Sequence, residues 1–332
     1  MSVIRVPAHK AQKVKESLIR NKLLDSSRTP RKDGDDILFP VTIIPKGFKP
    51  VNARLKKKSK LPTFKDAASK VLSKEELKHL NTAYDTAGSI AIVDIFEELE
   101  HKKKQIGKAL LESNPRIQTV LRRGTHEGEF RTQTLELLAG KKTKEAIFHE
   151  NGVRIKTNLE TVYYSVRLST ERKRITELVK PGERVLVMFS GAGPYVCAIA
   201  KNTAAKEVVG VEINPEGHKY AEENVKLNKL KNVKLYCGDA GKVVPKLGTF
   251  DRVLMPLPKS SEEFLDTAIK ATKPGAVIHF YHFYHENDFK EAERVCKEAC
   301  KRNKRTFKKL AFVKCGQYAP GEYRTCLDFE VR

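Results

Sequence analysis

The chain of 332 residues contains no tryptophan, three methionines and no cysteine pair in the Cys-x-x-Cys spacing. Without that spacing a zinc site is not expected, and Cys197, Cys237, Cys296, Cys300, Cys315 and Cys326 read as buried thiols. Long apolar runs are missing too. None approaches the ~20 residues of a membrane span, and the N-terminus has no secretory-signal pattern. The expectation is a soluble, cytoplasmic protein. Negative charge is scarce: 41 Asp+Glu stand against 64 Lys+Arg, a formal net charge of +23. Such an excess goes beyond what solubility needs and calls for a polyanionic partner, nucleic acid before lipid.

A chain of this length favours two or three domains over one. Residues 1–52 read as a small α/β module: strand, helix, loop, strand. Val14, Leu18 and the Leu23/Leu24 pair sit at helical spacing, and the β-rich run ILFPVTII is interrupted by Pro40. Residues 53–62 read as a basic linker. The wider stretch Pro45 to Lys60 holds seven basic residues and no acidic one, which suits either a tether or a phosphate-contacting segment.

Residues 63–168 read as an α+β region with helices and an antiparallel sheet. SKEELKHL opens with a Ser-x-x-Glu capping box. A strand leading into a charged helix closes at Asn114-Pro115, and two alternating runs meet at Asn151-Gly152, a strong hairpin signal. From 169 to 332 apolar strands alternate with helices, the pattern of a doubly wound parallel α/β sheet. The end, KLAFVKCGQYAPGEYRTCLDFEVR, reads instead as two strands joined by a Pro-Gly turn.

The stretch VLVMFSGAGPYV, Val185 to Val196, breaks from an apolar run into Gly191 and Gly193 and then into a helix-like segment. Ligands of doubly wound sheets bind at such loops, where glycine lets the backbone approach closely. The third glycine of the dinucleotide fingerprint is absent. The next strand ends in VGVEIN, so Glu212 stands where a carboxylate accepts both hydroxyls of a ribose, with Ile213 beside it and Asn214 capping a helix at Pro215. The third strand ends in YCGDA, putting Asp239 and Ala240 at the same edge, within reach of an adenine. A nucleoside without a pyrophosphate fits these three loops better than NAD, and S-adenosylmethionine is such a ligand.

These residues and the terminal hairpin together resemble a class I (Rossmann-like) methyltransferase, whose last strand is usually antiparallel. One departure is Val187, where that class commonly carries an acid. TVYYSVRLSTERKRI, VLMPLPKSSEEFL and GEFRTQTLELLAG further resemble the archaeal and eukaryotic family that methylates N1 of guanosine at tRNA position 37. That resemblance covers essentially the whole chain.

It implies a tRNA partner, gripped at the anticodon loop and at the elbow; a monomer is expected, and the apolar runs and the Cys and His spacing give the expectation of no membrane and no metal. It also implies Glu171 as base and Arg131 as the cation on O6, since removing the N1 proton puts negative charge there. Tyr163, Arg172 and Phe189 would line the methyl donor. In the loop Pro256, Leu257, Pro258, proline stands where the family usually has asparagine, so one hydrogen bond to the target base is missing. A looser pocket suits the archaeal branch that also methylates C7 of 4-demethylwyosine, in wyosine biosynthesis. The alternatives are a class I methyltransferase of another RNA base and a non-catalytic RNA-binding protein with a decayed pocket.

The run HFYHFYHENDF brings His279, His282 and His285 together. On a strand His279 and His285 share one face and His282 takes the other, a poor arrangement for a metal.

Overall fold

A computed structural model describes residues 2–57, 62–127 and 132–332. The chain divides into two compact units, Met1–Pro62 and Thr63–Arg332.

The first unit is a three-stranded antiparallel sheet in the order β1-β3-β2 with one helix. Strand β1 (Ser2–Pro7) is followed by α1 (Ala8–Arg20), β2 (Arg31–Asp33) and β3 (Asp36–Val41). Pro40 is tolerated in the middle strand because β2 pairs only with Asp36, Ile37 and Leu38 and stops short of it. Leu18 is the buried residue of α1 and packs with Ile4, Val6, Phe39 and Val41. The basic stretch after Pro45 is not a free tether here. Val51 donates its N–H to Val3 at 2.8 Å, and Leu55 is buried against Val3 and Leu38.

The second unit begins with α2 (Phe64–Ala68), capped reciprocally by Thr63 and Asp66. Ser73 and Glu76 also form a capping box, although only one turn of 3-10 helix follows. Strands β4 (Tyr84–Ala87) and β5 (Ile90–Val93), helix α3 (Lys103–Ser113), and strands β6 (Thr119–Glu127) and β7 (Thr132–Gly140) come next. They form a sheet in the order β4-β5-β6-β7, with α2 and α3 burying one face.

The expected antiparallel pairing holds for two of its three contacts. β5 and β6 pair in parallel, because α3 intervenes as a crossover rather than a tight turn. β8 (Glu145–Glu150) and β9 (Val153–Asn158) form the hairpin foreseen at Asn151-Gly152, both with positive φ.

Helix α4 (Ser169–Leu178) leads into the large sheet. Its elements are β10 (Arg184–Met188), α5 (Pro194–Asn202), β11 (Glu207–Glu212), α6 (Pro215–Leu227), β12 (Val233–Cys237), α7 (Ala240–Val243), β13 (Phe250–Met255), α8 (Leu265–Lys270), β14 (Thr272–His285), α9 (Phe289–Arg302), β15 (Phe307–Ala319) and β16 (Glu322–Val331). The strand order is β12-β11-β10-β13-β14-β16-β15. The first five run parallel, and β16 enters antiparallel between β14 and β15.

One face of the sheet packs α4 and α5 around Ile175, Val187, Tyr195 and Tyr281. The other packs α8 and α9 around Phe250, Ile278 and Phe329. The sheet order reverses at β10/β13, where a crevice opens at the carboxyl ends. Side-chain amides of Asn224 on α6 and of Asn228 at its C-cap bond the backbone of Lys156 and Arg154, holding the β8/β9 hairpin to that end of the domain.

Candidate active site

The crevice is a cleft of about 580 Å³ at the ends of β10, β11, β12 and β13. β10 ends at Met188, and Phe189 follows with φ 59°, a left-handed conformation costing a bulky residue ~1–2 kcal/mol. The turn aims the chain into Ser190-Gly191-Ala192-Gly193, and the Phe189 ring meets Phe264 edge-on at 4.9 Å. Gly193 (φ 79°) is the N-cap of α5, and a Cβ there would lie 3.2 Å from that of Ala221.

Glu212 ends β11. Its carboxylate accepts the Gly191 N–H at 2.5 Å and the Asn214 N–H at 2.8 Å, which ties the glycine loop to the next strand. Burial raises its pKa above the ordinary carboxylate value, against the pull of those N–H donors. Asn214 caps α6 through the Glu216 N–H, and Asp239 caps α7 through the Lys242 N–H. Ile213, though apolar, is 43% exposed and faces the cleft.

Of the residues singled out in the sequence, Tyr163, Arg172, Phe189, Gly191, Glu212, Ile213, Asp239, Ala240, Pro256, Leu257 and Pro258 all line this one cleft. Gly193 stands just behind the lining as the helix cap. Arg131 falls outside the described residues.

Glu171 does not line the cleft. It is 5% exposed, and its carboxylate is held by Arg174, with Nε to Oε2 at 2.8 Å and Nη2 to Oε1 at 2.7 Å. Tyr281, which does line the cleft, donates its hydroxyl to Glu171 Oε1 at 2.7 Å and meets the Tyr195 hydroxyl at 3.2 Å. Burial keeps the Tyr281 hydroxyl well above the ordinary phenol pKa, with the Glu171 carboxylate adding to the effect. It is therefore a neutral O–H at neutral pH. Arg172 is similarly engaged: it donates to Glu150 at 2.5 and 2.6 Å and to the Ser165 carbonyl at 2.9 Å, and stacks over Tyr164.

Behind Glu171 the charges continue. Arg174 reaches Asp328 at 2.5 Å, Asp328 accepts from His279 Nδ1 at 2.6 Å, and Arg252 donates to His279 Nε2 at 2.7 Å. Arg252 in turn pairs with Glu183. His279, Asp328 and Cys326 place possible metal-ligand atoms within 4.8 Å of one another. Two guanidinium groups already occupy these acceptors, an arrangement suited to an ion-pair network and repulsive to a cation. Among the three histidines, His279 is buried, His282 stacks on Tyr284 and His285 is exposed.

Tyr281, Tyr195, Glu150 and Arg174 were not anticipated. Only Tyr281 left a trace in the sequence, on the same strand face as His279 two residues before it.

The donor set fits S-adenosylmethionine: a glycine loop with room for close approach, a carboxylate at Glu212 that could accept ribose hydroxyls, and Ile213, Asp239 and Ala240, which could take an adenine, lining the same cleft. Comparison with known proteins agrees. The TRM5/TYW2 methyltransferase domain matches residues 146–308, the TYW2 N-terminal domain residues 64–143, and the tRNA methyltransferase 5 N-terminal domain residues 4–49.

The tRNA (guanine(37)-N(1))-methyltransferase Trm5b of Pyrococcus abyssi is 37% identical over 334 residues, covering 99% of this chain and 98% of that protein. The chain belongs to the TRM5/TYW2 family. The crystal structure of that Trm5b superposes with a TM-score of 0.73 at 36% identity, over 100% of this chain and 99% of the other. The complex of aTrm5 with tRNALeu superposes with a TM-score of 0.71 at 30% identity, over the full length of both. Like these relatives, the chain has a class I methyltransferase sheet with the antiparallel C-terminal hairpin. No helix among the described residues is long and apolar enough to cross a membrane.

Proposed function

We propose that this protein transfers a methyl group from S-adenosylmethionine to the purine at position 37 of tRNA: N1 of guanosine, and also C7 of 4-demethylwyosine on the route to wyosine derivatives. The observation that carries this reading is the convergence of Gly191, Glu212 and Asp239 with the Pro256-Leu257-Pro258 loop in one cleft, in a chain that aligns end to end with Trm5b. The second substrate is favoured by a relative from Nanoarchaeum equitans, tRNA (guanine(37)-N(1))/4-demethylwyosine(37)-methyltransferase Taw22, 30% identical over 65% of this chain. The proline at 256 supports it too, since it removes a side-chain amide from the purine edge.

The cofactor supplies an already activated methyl sulfonium. The protein's task is then to bind, orient and deprotonate. Glu212 holds the ribose, Asp239 and Ala240 the adenine edge, Ile213 its face, and Tyr163, Phe189 and the backbone at Gly191 and Gly193 the methionine end. Glu171 is the proton acceptor, acting through Tyr281. The N1 proton passes to the Tyr281 oxygen as the Tyr281 proton passes to Glu171 Oε1, and Arg131 meets the charge left on O6.

In this reading residues 1–52 and 63–168 grip the tRNA at the elbow and the anticodon loop, 53–62 link them, and 169–332 carry the chemistry, as a cytoplasmic monomer. The test is mass spectrometry of nucleosides from unmodified and 4-demethylwyosine-containing tRNA after incubation with the protein and S-adenosylmethionine. 1-Methylguanosine at position 37 is expected from the first and a C7-methylated product from the second. Methylation of a tRNA lacking a purine at 37 would point to another RNA base.

A further inference from the structure

The sheet face that carries Tyr281 continues past the cofactor loops to the open ends of β14, β15 and β16. The register pairs Tyr281 with Cys326, Phe283 with Arg324, and Arg324 with Gly316. Phe283 and Arg324 therefore stand one step beyond Tyr281 on its own face, since strand side chains alternate. Arg324 lies with its guanidinium carbon 5.2 Å from the centre of the Phe283 ring and donates Nη2 to the Tyr163 hydroxyl at 3.0 Å. Tyr318 lays its ring against Phe283 with centroids 4.4 Å apart and 36° between planes. The result is a continuous strip of Tyr163, Arg324, Phe283 and Tyr318. Tyr163 and Arg324 line the cleft, while Tyr318 is 58% exposed, so the strip leads from the cofactor site out to solvent.

One detail leaves room beside the strip: Gly316, across from Arg324, presents no side chain, and a Cβ built there would meet nothing within 4 Å. Isolated exposed aromatics are ordinary, but an aromatic pair capped by a guanidinium, with no acid in the strip, has a specific chemical match. An unpaired nucleobase offers a flat π face for the rings, and its phosphate offers an anion for the arginine.

An RNA base can enter the cleft only by leaving its stack, so the neighbouring nucleotide emerges at the mouth with its own face uncovered. Resting on the tRNA reading above, we propose that the exposed ring of Tyr318, backed by Phe283 and with Arg324 beside it, is a stacking subsite for the loop nucleotide adjacent to the one being methylated. Stacking is tolerant of base identity, so the subsite tightens binding without reading sequence.

The experiment uses the full chain and an unmodified tRNA transcript with guanosine at 37. Tyr318→Ala raises the tRNA Kd in filter binding, and the tRNA KM, by about tenfold to a hundredfold, the loss expected for one stacked base. Both kcat at saturating tRNA and the S-adenosylmethionine Kd by calorimetry stay within about twofold, and Tyr318→Trp restores tight tRNA binding. Removing the base at position 36 or at position 38 weakens wild-type binding by a matching factor at one of the two, and adds nothing further in Tyr318→Ala. A Tyr318→Ala protein that melts like wild type and binds tRNA equally well overturns the subsite, as does an abasic penalty that adds in full to the variant's. If the wild type methylates no tRNA, the reading of the reaction has failed, while the Kd comparison still decides the subsite.

Discussion

The Tyr281 hydroxyl donates to the Glu171 carboxylate at 2.7 Å, and Tyr281 lines the cleft that Glu171 itself does not line. In this arrangement the two residues can serve the reaction only as a unit. Glu171→Gln and Tyr281→Phe should each lower the single-turnover methylation rate by about a hundredfold or more, the scale of general base catalysis. The double variant should be no slower than the worse single one, because groups that act as a unit are not additive. S-Adenosylmethionine affinity should be unchanged in all three. Additive losses would separate the two residues and sink the relay.

Arg172 lines the cleft, yet its guanidinium is spent on Glu150, with both side chains nearly out of solvent at 2% and 6% exposure. Truncating one partner of such a pair leaves the other buried and uncompensated, costing about 3 to 5 kcal/mol. Arg172→Leu should therefore lower Tm by roughly 10 °C. Arg172→Leu/Glu150→Leu should recover much of that loss, because no buried charge remains. A single variant that melts like wild type but binds S-adenosylmethionine weakly would make the arginine a cofactor ligand first.

What the sequence made legible was local. Alternation of strand and helix, the Gly191/Gly193 turn, the acid ending the next strand, and the turns at Asn151-Gly152 and Pro320-Gly321 each depend on a few neighbouring residues, and all appear in the fold. The parallel β5/β6 pair was missed because helix α3 sits between two strands whose own patterns look the same in either direction. Contacts made by sheet order were out of reach altogether. Arg174 meets Asp328 across 154 positions and Arg324 meets Tyr163 across 161, and nothing local marks either pair. Glu171 was singled out by family pattern alone, which supplies its identity but not the tyrosine in front of it.

The buried pair of His279 and Asp328 makes stability depend on pH. Burial lowers the His279 pKa below its ordinary value. Asp328 would be raised by burial alone, but the His279 N–H and Arg174 hold it well below the usual carboxylate range. Both depressions mean that the unfolded chain binds more protons than the folded one, so stability rises with pH. The His279 contribution is complete above ~6.5 and shrinks as pH falls from there toward its folded value, at ~1.4 kcal/mol per unit of depression. The Asp328 contribution persists down to ~3.9 and is lost only below that. Tm measured from pH 7.5 to 5 should fall for the wild type. His279→Gln, though less stable throughout, should show a flatter curve between pH 5 and 6.5. Parallel curves would remove His279 from the effect.

Pro256 begins the loop after β13, where it lines the cleft and the Ser261 hydroxyl fastens the loop by donating to the Leu257 carbonyl. A proline has no N–H and no side-chain amide, so this position offers the target base no donor and only its backbone carbonyl as acceptor. Pro256→Asn would restore an amide that can both donate and accept. One added hydrogen bond contributes about 0.5 to 1.5 kcal/mol. The variant should therefore methylate guanosine-37 tRNA with a kcat/KM about threefold to tenfold higher. Activity on 4-demethylwyosine should fall by comparison, because an amide placed for a guanine edge leaves a polar group unpaired against a third ring. The decisive quantity is the ratio of the two kcat/KM values, measured on tRNAs that differ only at position 37. A ratio unmoved by the substitution would mean that the loop proline has no part in choosing between the two nucleobases.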